Sequence, residues 1–190
     1  QVREICDQHN WLLMLDEVQT GNGRTGTYFA YQQMGFLPDV VTTAKGLGNG
    51  VPIGACLSRG PAAEVLGAGQ HGSTYGGNPL VCATALAVVN TIVGEELTDN
   101  AQAMGAVIRA TLMADPEAAA RIVEIRGSGL MLGIDLGQDC SELVAKGLAE
   151  GLLINVAAGN TIRLLPPLII NEAQTRELAL GVADLIRSLG

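Results

Sequence analysis

The feature that most constrains the fold of this chain is a short apolar run that leads into a reactive side chain and then into glycines. It occurs twice. Residues 11–15 lead into Asp16 and the glycine-rich segment 21–26, and residues 40–44 lead into Lys45 and further glycines. Continuous aliphatic runs of this length are typical of strands buried in a parallel sheet. Because ligands bind at the carboxyl ends of such strands, the pattern predicts an α/β protein with a site around Asp16 and Lys45.

The remaining pattern predicts a larger α/β domain over residues 1–95 and a smaller α/β domain over 96–190, with a boundary near Glu95. We predict helices at residues 2–9, 80–93, 98–114, 141–150 and 172–189, and further strands at 53–57, 122–126, 130–136, 152–155 and 161–165. Helix 80–93 is apolar on nearly every side, which predicts that it is buried. Residues 127–129 contain two glycines between two strands, which predicts a hairpin.

Composition excludes several classes of protein. The net charge of −8 argues against a nucleic-acid surface, which needs clustered lysine and arginine. No run of about 18 apolar residues is present, so we expect no membrane span. The four cysteines form no C-x-x-C pair and no signal peptide opens the chain, which favours reduced thiols in the cytoplasm. Residues 1–10 resemble the end of a helix already in progress, so we expect a fragment or one part of a split protein.

Lys45 and Asp16 suit one kind of chemistry in particular. Burial lowers the pKa of a lysine amine and makes it nucleophilic, as Schiff-base formation requires. A carboxylate that faces a pyridine nitrogen keeps that ring protonated and strengthens it as an electron sink. Two plainer interpretations stay open at this point. A lysine before glycine is often a solvated surface residue, and an aspartate after a strand is often a turn cap.

A second motif competes for the glycines. Segment 21–26 matches G-x-G-x-x-G, the fingerprint of dinucleotide-binding folds. That fingerprint begins in the first turn after a strand, whereas here residues 16–20 intervene. The next acidic residue, Asp39, precedes its strand and is badly placed to bind a ribose. The dinucleotide interpretation is therefore disfavoured.

Two other positions are candidate binding residues. Ser73 and Thr74 lie just before a predicted helix start, where hydroxyls and backbone N–H groups bind anions; a flexible loop with a helix cap fits the same pattern. His71, beside them, is more typical of a structural residue. Arg163 follows apolar residues in a predicted strand and matches a substrate carboxylate, although an internal salt bridge would satisfy it equally.

Taken together, five stretches in order resemble the class III aminotransferases of fold type I, and most closely the acetylornithine aminotransferase family. The stretches are residues 15–26 (LDEVQTGNGRTG), 38–46 (PDVVTTAKG), 72–79 (GSTYGGNP), 126–130 (RGSGL) and 162–167 (IRLLPP). The resemblance covers essentially the whole chain. It implies the C-terminal part of a large cofactor-binding domain with a mostly parallel sheet, followed by a small C-terminal α/β domain.

The resemblance also implies a role for each candidate residue. Lys45 would carry pyridoxal 5'-phosphate as a Schiff base and shuttle a proton, and Asp16 would pair with the pyridinium nitrogen. Gln19 would hydrogen-bond the phenolic side of the ring. Thr74, with Ser73, would bind the cofactor phosphate of the neighbouring subunit in a homodimer. Arg163 would hold a carboxylate of the keto acid.

By the same resemblance, the substrates would be N2-acetylornithine, which gives up its terminal amine, and 2-oxoglutarate. Ornithine, succinylornithine and 4-aminobutyrate aminotransferases share these cofactor residues and remain alternatives, as does an aminotransferase-like module without activity. The family's upstream half, with its phosphate loop and the aromatic that stacks on the ring, has no counterpart in this sequence. A partner that supplies this N-terminal half is therefore expected.

Overall fold

The computed structural model describes residues 1–189, which divide into two compact units. The first unit consists of residues 1–23 and 27–96, and the second of residues 24–26 together with the chain from Leu97 onward. In chain order the first unit contains α1 (Val2–Gln8), β1 (Met14–Asp16), β2 (Val40–Thr43), β3 (Ala55–Ser58) and α2 (Pro79–Gly94), with short 3-10 helices at Ala30–Met34, Lys45–Leu47 and Gly60–Glu64. Helices and strands alternate with glycine-rich turns, which confirms the α/β class.

The sheet of the first unit has the order β1-β2-β3. β1 and β2 are parallel, with Asp16 paired to Thr42, whereas β3 runs antiparallel to β2. Val40 and Val41 of β2 are buried, as expected for the central strand. Because β1 and β2 are parallel, their carboxyl ends lie at the same end of the sheet.

The prediction of a buried strand over residues 11–15 is wrong in extent and in burial. The strand begins at Met14, and Trp11 and Met14 are about 60% exposed. β1 is the edge strand of the described sheet, so side chains that a further strand or helix would cover remain open to solvent.

Helix α2 begins where the sequence predicts, because Asn78 caps it and Pro79 occupies its first position. The Asn78 Oδ1 atom accepts hydrogen bonds from the backbone N–H groups of Leu80 and Val81 at 3.1 and 3.2 Å. The predicted burial on all sides is wrong. Only Val81, Ala85 and Ile92 are buried, because the described residues of this chain cover one side of the helix and leave the rest of its apolar surface exposed.

The second unit contains α3 (Leu97–Ala114), α4 (Pro116–Arg121), β4 (Glu124–Ser128), β5 (Met131–Asp135), α5 (Leu143–Ala149), β6 (Asn155–Ala157), β7 (Thr161–Leu164) and α6 (Glu172–Arg187). Its sheet has the order β4-β5-β7-β6 and every pairing is antiparallel. One face of the sheet packs against α3 and α6 around fully or nearly fully buried side chains, among them Ile108, Leu112, Leu132, Ile134, Ile162, Leu164, Val182 and Ile186. This core is contributed entirely by the second unit.

The hairpin of β4 and β5 is confirmed, and its turn explains a glycine requirement. Ser128 pairs with Met131, so Gly129 and Leu130 form the turn. Gly129 has φ +54°, and a Cβ atom there would lie 2.6 Å from the backbone carbon of Thr25. A Cβ atom on Gly105 of α3 would in turn lie 2.1 Å from the Gly129 carbonyl oxygen. The turn is therefore packed too closely for any side chain at either glycine.

Residues 24–26 cross from the first unit into the second and are held there by hydrogen bonds. The carbonyl of Arg24 accepts from the Leu130 N–H at 3.0 Å, and that of Thr25 accepts from the Ser128 hydroxyl at 2.8 Å. The carbonyl of Gly26 accepts from the Gln102 side chain at 2.6 Å. The second unit is thus built from two separate stretches of chain.

Strand β6 lies later than the predicted strand 152–155. The Leu152 N–H donates to the Gly147 carbonyl at 2.7 Å and so ends helix α5, which leaves the strand to begin at Asn155. Over the described residues, no single helix is long and apolar enough to cross a membrane.

Acid stability of the first unit is expected to depend on Asp39. The Asp39 carboxylate accepts from the Arg3 guanidinium at 2.6 Å and from the Leu13 N–H at 2.8 Å, and these bonds hold the pKa of Asp39 below its ordinary value. A group with a lowered folded pKa stabilises the protein above its unfolded pKa, about 3.9 for aspartate, and that stability is lost as pH falls through the folded pKa.

We therefore expect the free energy of unfolding to decrease as the pH is lowered below about 4. The Asp39→Asn variant should show a weaker dependence of this free energy on pH. Urea titrations between pH 7 and pH 3 measure both effects. Glu64→Gln, at an exposed carboxylate, is the control and should leave the pH dependence unchanged. An equally steep acid dependence in Asp39→Asn would contradict the assignment.

Candidate active site

The two main candidate residues lie at the carboxyl ends of the neighbouring strands β1 and β2, at the same end of the first sheet. Asp16 is the last residue of β1 and pairs with Thr42 of β2. Lys45 follows Thr42 by three residues and begins the 3-10 helix Lys45–Leu47. Because β1 and β2 are parallel, both residues lie at the carboxyl ends of their strands, as the sequence predicts.

The backbone at Lys45 is in an unusual conformation. Its φ is +44°, in the left-handed region that residues with a Cβ atom rarely adopt. The Lys45 side chain is exposed, and among residues 1–189 it has no ion pair or hydrogen-bond partner. The expectation of a buried lysine is therefore wrong for this chain, because none of the described residues covers this edge of the sheet.

Asp16 is also exposed, and most of its hydrogen-bonding capacity is free. Its Oδ1 atom accepts from the Val18 N–H at 2.9 Å and stands 3.5 Å from the Thr42 hydroxyl. A carboxylate has about four acceptor positions, so Asp16 can cap this turn and still accept a further donor. The two interpretations of Asp16, turn cap and ligand, are thus compatible.

The other candidates of the first unit lie in turns. Gln19 is half-buried in the turn after β1. Ser73 and Thr74 are exposed in the segment before α2, where the Ser73 hydroxyl accepts from the Gly76 N–H at 3.1 Å. His71 is exposed in the same segment. This segment has neither helix nor strand, as the sequence predicts.

Arg163 lies in β7 of the second unit, opposite Gly133 on one side and Asn155 on the other. It is half-buried, and its guanidinium has no ion pair with any residue that the structure describes. Arg126, which pairs with the same Gly133 from β4, differs in this respect. Its guanidinium donates to Asp135 and to the Thr161 hydroxyl, both at 2.9 Å. Arg126 thus forms an internal salt bridge with Asp135, whereas the salt bridge considered as the alternative for Arg163 is not formed with any of residues 1–189.

Sequence reasoning missed Glu17, which organises the turn after β1. Glu17 is only 3% exposed, and its carboxylate accepts from the backbone N–H groups of Ala30 and Tyr31 at 3.0 and 2.9 Å and from the Thr20 hydroxyl. It thereby caps the 3-10 helix Ala30–Met34 across the glycine-rich segment. In the sequence, the only signal for Glu17 was that it is an acidic residue directly after the predicted buried strand, and Asp16 shares that signal.

Replacing Glu17 with glutamine is expected to lower the free energy of unfolding by about 2 kcal/mol, since hydrogen bonds to a charged acceptor contribute about 1.5–3 kcal/mol. Glutamine keeps the size of the side chain, but its NH₂ group faces N–H donors. Thr20→Val removes one of the three bonds and should cost less. Urea unfolding curves measure both variants, and equal stability of wild type and Glu17→Gln would show that the cap contributes nothing.

Sequence reasoning also missed Asn22, which lies between Gly21 and Gly23 in the glycine-rich segment. It is buried, has φ +57°, and its side-chain amide donates to the Thr43 hydroxyl and to the Ala44 carbonyl. Asparagine is one of the few residues that adopt this backbone conformation readily, which is a signal that the sequence offered.

Solved structures with the same arrangement are aminotransferases. Ornithine aminotransferase from Toxoplasma gondii superposes with a TM-score of 0.90 at 35% identity, covering 97% of this chain and 45% of that one. Acetylornithine aminotransferase from Elizabethkingia anophelis superposes with a TM-score of 0.89 at 34% identity, covering 98% and 48%. The fold of this chain is therefore that of part of an aminotransferase.

Sequence comparison identifies the family. The model described as aminotransferase class-III matches residues 1–186. Acetylornithine aminotransferase 1 from Bordetella pertussis is 48% identical over 186 residues, which are 98% of this chain and 47% of that protein. Acetylornithine aminotransferase from Methanopyrus kandleri is 44% identical over 192 residues, 100% and 49% respectively. This chain belongs to the class-III aminotransferase family, whose members use pyridoxal phosphate, and it spans about half the length of these relatives.

Proposed function

We propose that this chain supplies the Schiff-base lysine and the ring-binding carboxylate of a pyridoxal-phosphate-dependent aminotransferase that acts on N2-acetylornithine and 2-oxoglutarate. The observation that carries the proposal is the placement of Asp16 and Lys45 at the carboxyl ends of adjacent parallel strands. Residues 1–95 would form the C-terminal part of the large cofactor-binding domain, and residues 96–190 the small domain.

The side chains fit the cofactor chemically. Pyridoxal phosphate, when bound, supplies an aldehyde and a conjugated pyridine ring that withdraws electrons from the substrate carbon. The Lys45 amine has no hydrogen-bond or ion-pair partner among residues 1–189, so it would be available to hold the aldehyde carbon of the cofactor. Asp16 has free acceptor positions for the ring N–H, and its negative charge keeps that nitrogen protonated.

Lys45 would also move a proton. Once released from the cofactor, its amine can take a proton from the substrate carbon and return it to the neighbouring cofactor carbon. Gln19, three residues beyond the end of β1, would donate a hydrogen bond on the phenolic side of the ring. Ser73 and Thr74, both exposed, would contact the cofactor phosphate of a second subunit, which requires a homodimer.

Arg163 would bind a carboxylate of 2-oxoglutarate. Arg163 is half-buried and pairs with no carboxylate of residues 1–189, and its planar fork of N–H donors matches a carboxylate with two parallel hydrogen bonds. The upstream half of the enzyme would add the phosphate loop, the aromatic side chain that stacks on the ring, and an acidic partner for this arginine. We place the assembled enzyme in the cytoplasm.

The names of the curated relatives favour one amino donor over the others. Curated relatives at 44–48% identity are named acetylornithine aminotransferase, which favours N2-acetylornithine over the alternatives. Ornithine is the second candidate donor, because ornithine aminotransferases superpose on the chain with TM-scores of about 0.9 at 33–35% identity.

The test uses a complete enzyme, defined as this chain fused behind the N-terminal half of the Bordetella pertussis relative. Turnover is measured with 2-oxoglutarate and, in turn, N2-acetylornithine, ornithine, succinylornithine and 4-aminobutyrate. We expect the highest kcat/KM with N2-acetylornithine, and cofactor fixed to Lys45 by borohydride in a peptide mass map.

This chain alone is expected to show no transaminase activity and to bind the cofactor weakly. The exposed apolar face of α2 is expected to make it aggregate unless its N-terminal half is present. A monomer of residues 1–190 that transaminates N2-acetylornithine would contradict the proposed division of the site, and a complete enzyme that prefers another donor would overturn the substrate.

A further inference from the structure

The glycine-rich turn after β1 contains one buried side-chain amide that donates both of its hydrogen bonds to residues just before Lys45. Asn22 is 4% exposed. Its Nδ2 atom donates to the Thr43 hydroxyl at 2.9 Å and to the Ala44 carbonyl at 3.1 Å, while its Oδ1 atom accepts from the Tyr28 hydroxyl at 3.3 Å. This one side chain therefore bridges the turn after β1 and the last residues before Lys45.

The orientation of the amide is fixed by its partners. The Ala44 carbonyl only accepts hydrogen bonds, so it must face the NH₂ group of Asn22. The oxygen of the amide then faces Tyr28, and burial raises the pKa of the Tyr28 phenol, which stays protonated and able to donate. Each polar atom of the Asn22 side chain thus has a suitable partner.

The carbonyl that Asn22 holds belongs to the peptide unit immediately before Lys45. The same Ala44 oxygen accepts from the Leu47 N–H at 2.9 Å, which closes the first turn of the 3-10 helix Lys45–Leu47. Lys45 has φ +44°, a conformation that persists in a residue with a Cβ atom only when its surroundings impose it. A Cβ atom on Gly46 would lie 3.4 Å from the Asn22 Cβ atom, so the amide also lies against the residue after Lys45.

From this geometry we propose that Asn22 is a positioning residue, which holds the Ala44 carbonyl and thereby keeps the Lys45 backbone in the left-handed conformation from which its amine reaches the reacting atoms. The inference rests on the proposed role of Lys45 as the cofactor lysine. Asn22 itself touches neither substrate nor cofactor in this role. Its removal should affect the rate of proton movement by Lys45 more than the binding of either substrate.

The test compares Asn22→Gly with Asn49→Gly in the complete enzyme. Asn49 is a matched control, because it lies just after the 3-10 helix Lys45–Leu47 with φ +46° but is exposed and has no side-chain partner among residues 1–189. Glycine tolerates a positive φ at both positions, so each variant removes the side chain without forcing strain on the backbone, and the added backbone freedom is the same in both. Hydrogen exchange at the Leu47 amide in the cofactor-free enzyme reports directly on the turn that Asn22 holds.

We expect Leu47 exchange to accelerate about tenfold in Asn22→Gly, as loss of a buried hydrogen bond predicts, and to stay unchanged in Asn49→Gly. In the loaded enzyme, Asn22→Gly should lower kcat about tenfold and leave KM for both substrates within about twofold. Asn22→Asp keeps the acceptor for Tyr28 but has no donor, and should behave like Asn22→Gly. Tyr28→Phe leaves both donated bonds in place and should have the smaller effect.

The outcomes separate this inference from the proposed function. Unchanged Leu47 exchange in Asn22→Gly, or normal exchange and turnover in Asn22→Asp, overturns the positioning role while borohydride still fixes cofactor to Lys45. Faster exchange with unchanged kcat also overturns it, because Asn22 would then support the turn without affecting Lys45. If borohydride fixes no cofactor to Lys45 in the unmutated enzyme, the proposed function fails, and the positioning role fails with it.

Discussion

In the complete enzyme, Lys45→Ala is expected to lower turnover by about 10⁴-fold or more, the upper end of what a positioned proton-transferring group contributes. Cofactor should then be held only non-covalently, because alanine cannot form the imine. The measurement combines single-turnover rates with a borohydride mass map of the purified variant. A loss below tenfold would show that another group moves the proton.

The control is the only other lysine in the sequence. Lys146 lies in α5 of the second unit, and its amine donates to the Glu142 carboxylate at 2.7 Å and to the Ser188 carbonyl at 3.2 Å. Lys146→Ala should leave turnover unchanged. Borohydride-fixed cofactor on Lys146 would contradict the assignment of Lys45.

Asp16→Asn is expected to lower kcat by about 10²–10³-fold, similar to the loss when a preorganised electrostatic partner is removed from an active site. The neutral amide cannot hold a proton on the ring nitrogen, and the electron sink is weakened. Cofactor should stay attached to Lys45, because that bond does not involve Asp16. Steady-state rates together with the absorbance of the bound cofactor measure both expectations.

This variant also tests whether Asp16 is only a turn cap. The asparagine Oδ1 atom can still accept from the Val18 N–H, so the turn and the free energy of unfolding should be preserved. Asp99→Asn, the same chemical change at an exposed residue of α3, should leave turnover unchanged. Near-normal turnover in Asp16→Asn, with the fold intact, would reduce Asp16 to its structural role.

Elements with local signals were the predictable part of the fold. The start of α2 is specified by adjacent Asn78 and Pro79, and the β4–β5 hairpin by the glycines at 127 and 129. Both depend on hydrogen bonds within a few residues, which the sequence displays directly. The position of β6 was wrong because the Leu152 N–H is used by the end of α5, and periodicity does not reveal that competition.

Burial was predicted less well than secondary structure. The apolar strand at residues 11–15 and the apolar helix at residues 80–93 were both predicted to be buried. Four of their side chains are nevertheless more than half exposed: Trp11, Met14, Leu80 and Val93. Apolar periodicity indicates which surfaces need a partner, whereas the partner itself lies elsewhere. In this chain the covering surface is not supplied by the described residues.

For the candidate site, too, the positions of residues along the chain were predictable, whereas their burial and long-range contacts were not. Asp16 and Lys45 were predictable because strand ends at the same edge of a parallel pair come together, and the register confirms that edge. Their exposure, and the contacts of Glu17 and Asn22, were not predictable. Four of those contacts join residues 13 to 22 positions apart, through carboxylate and amide groups that hydropathy patterns treat as loop.

The path of residues 24–26 has a consequence for how the polypeptide acquires its structure during synthesis. These three residues leave the ribosome long before α3 and the β4–β5 hairpin, yet the Leu130 N–H and the Ser128 hydroxyl find their acceptors on them. The second unit therefore completes these hydrogen bonds only when both stretches of chain are present. An expression product that starts at Leu97 would leave the Leu130 N–H and the Gln102 amide without these acceptors. A gene split between the two units would separate the second unit from three of its own residues.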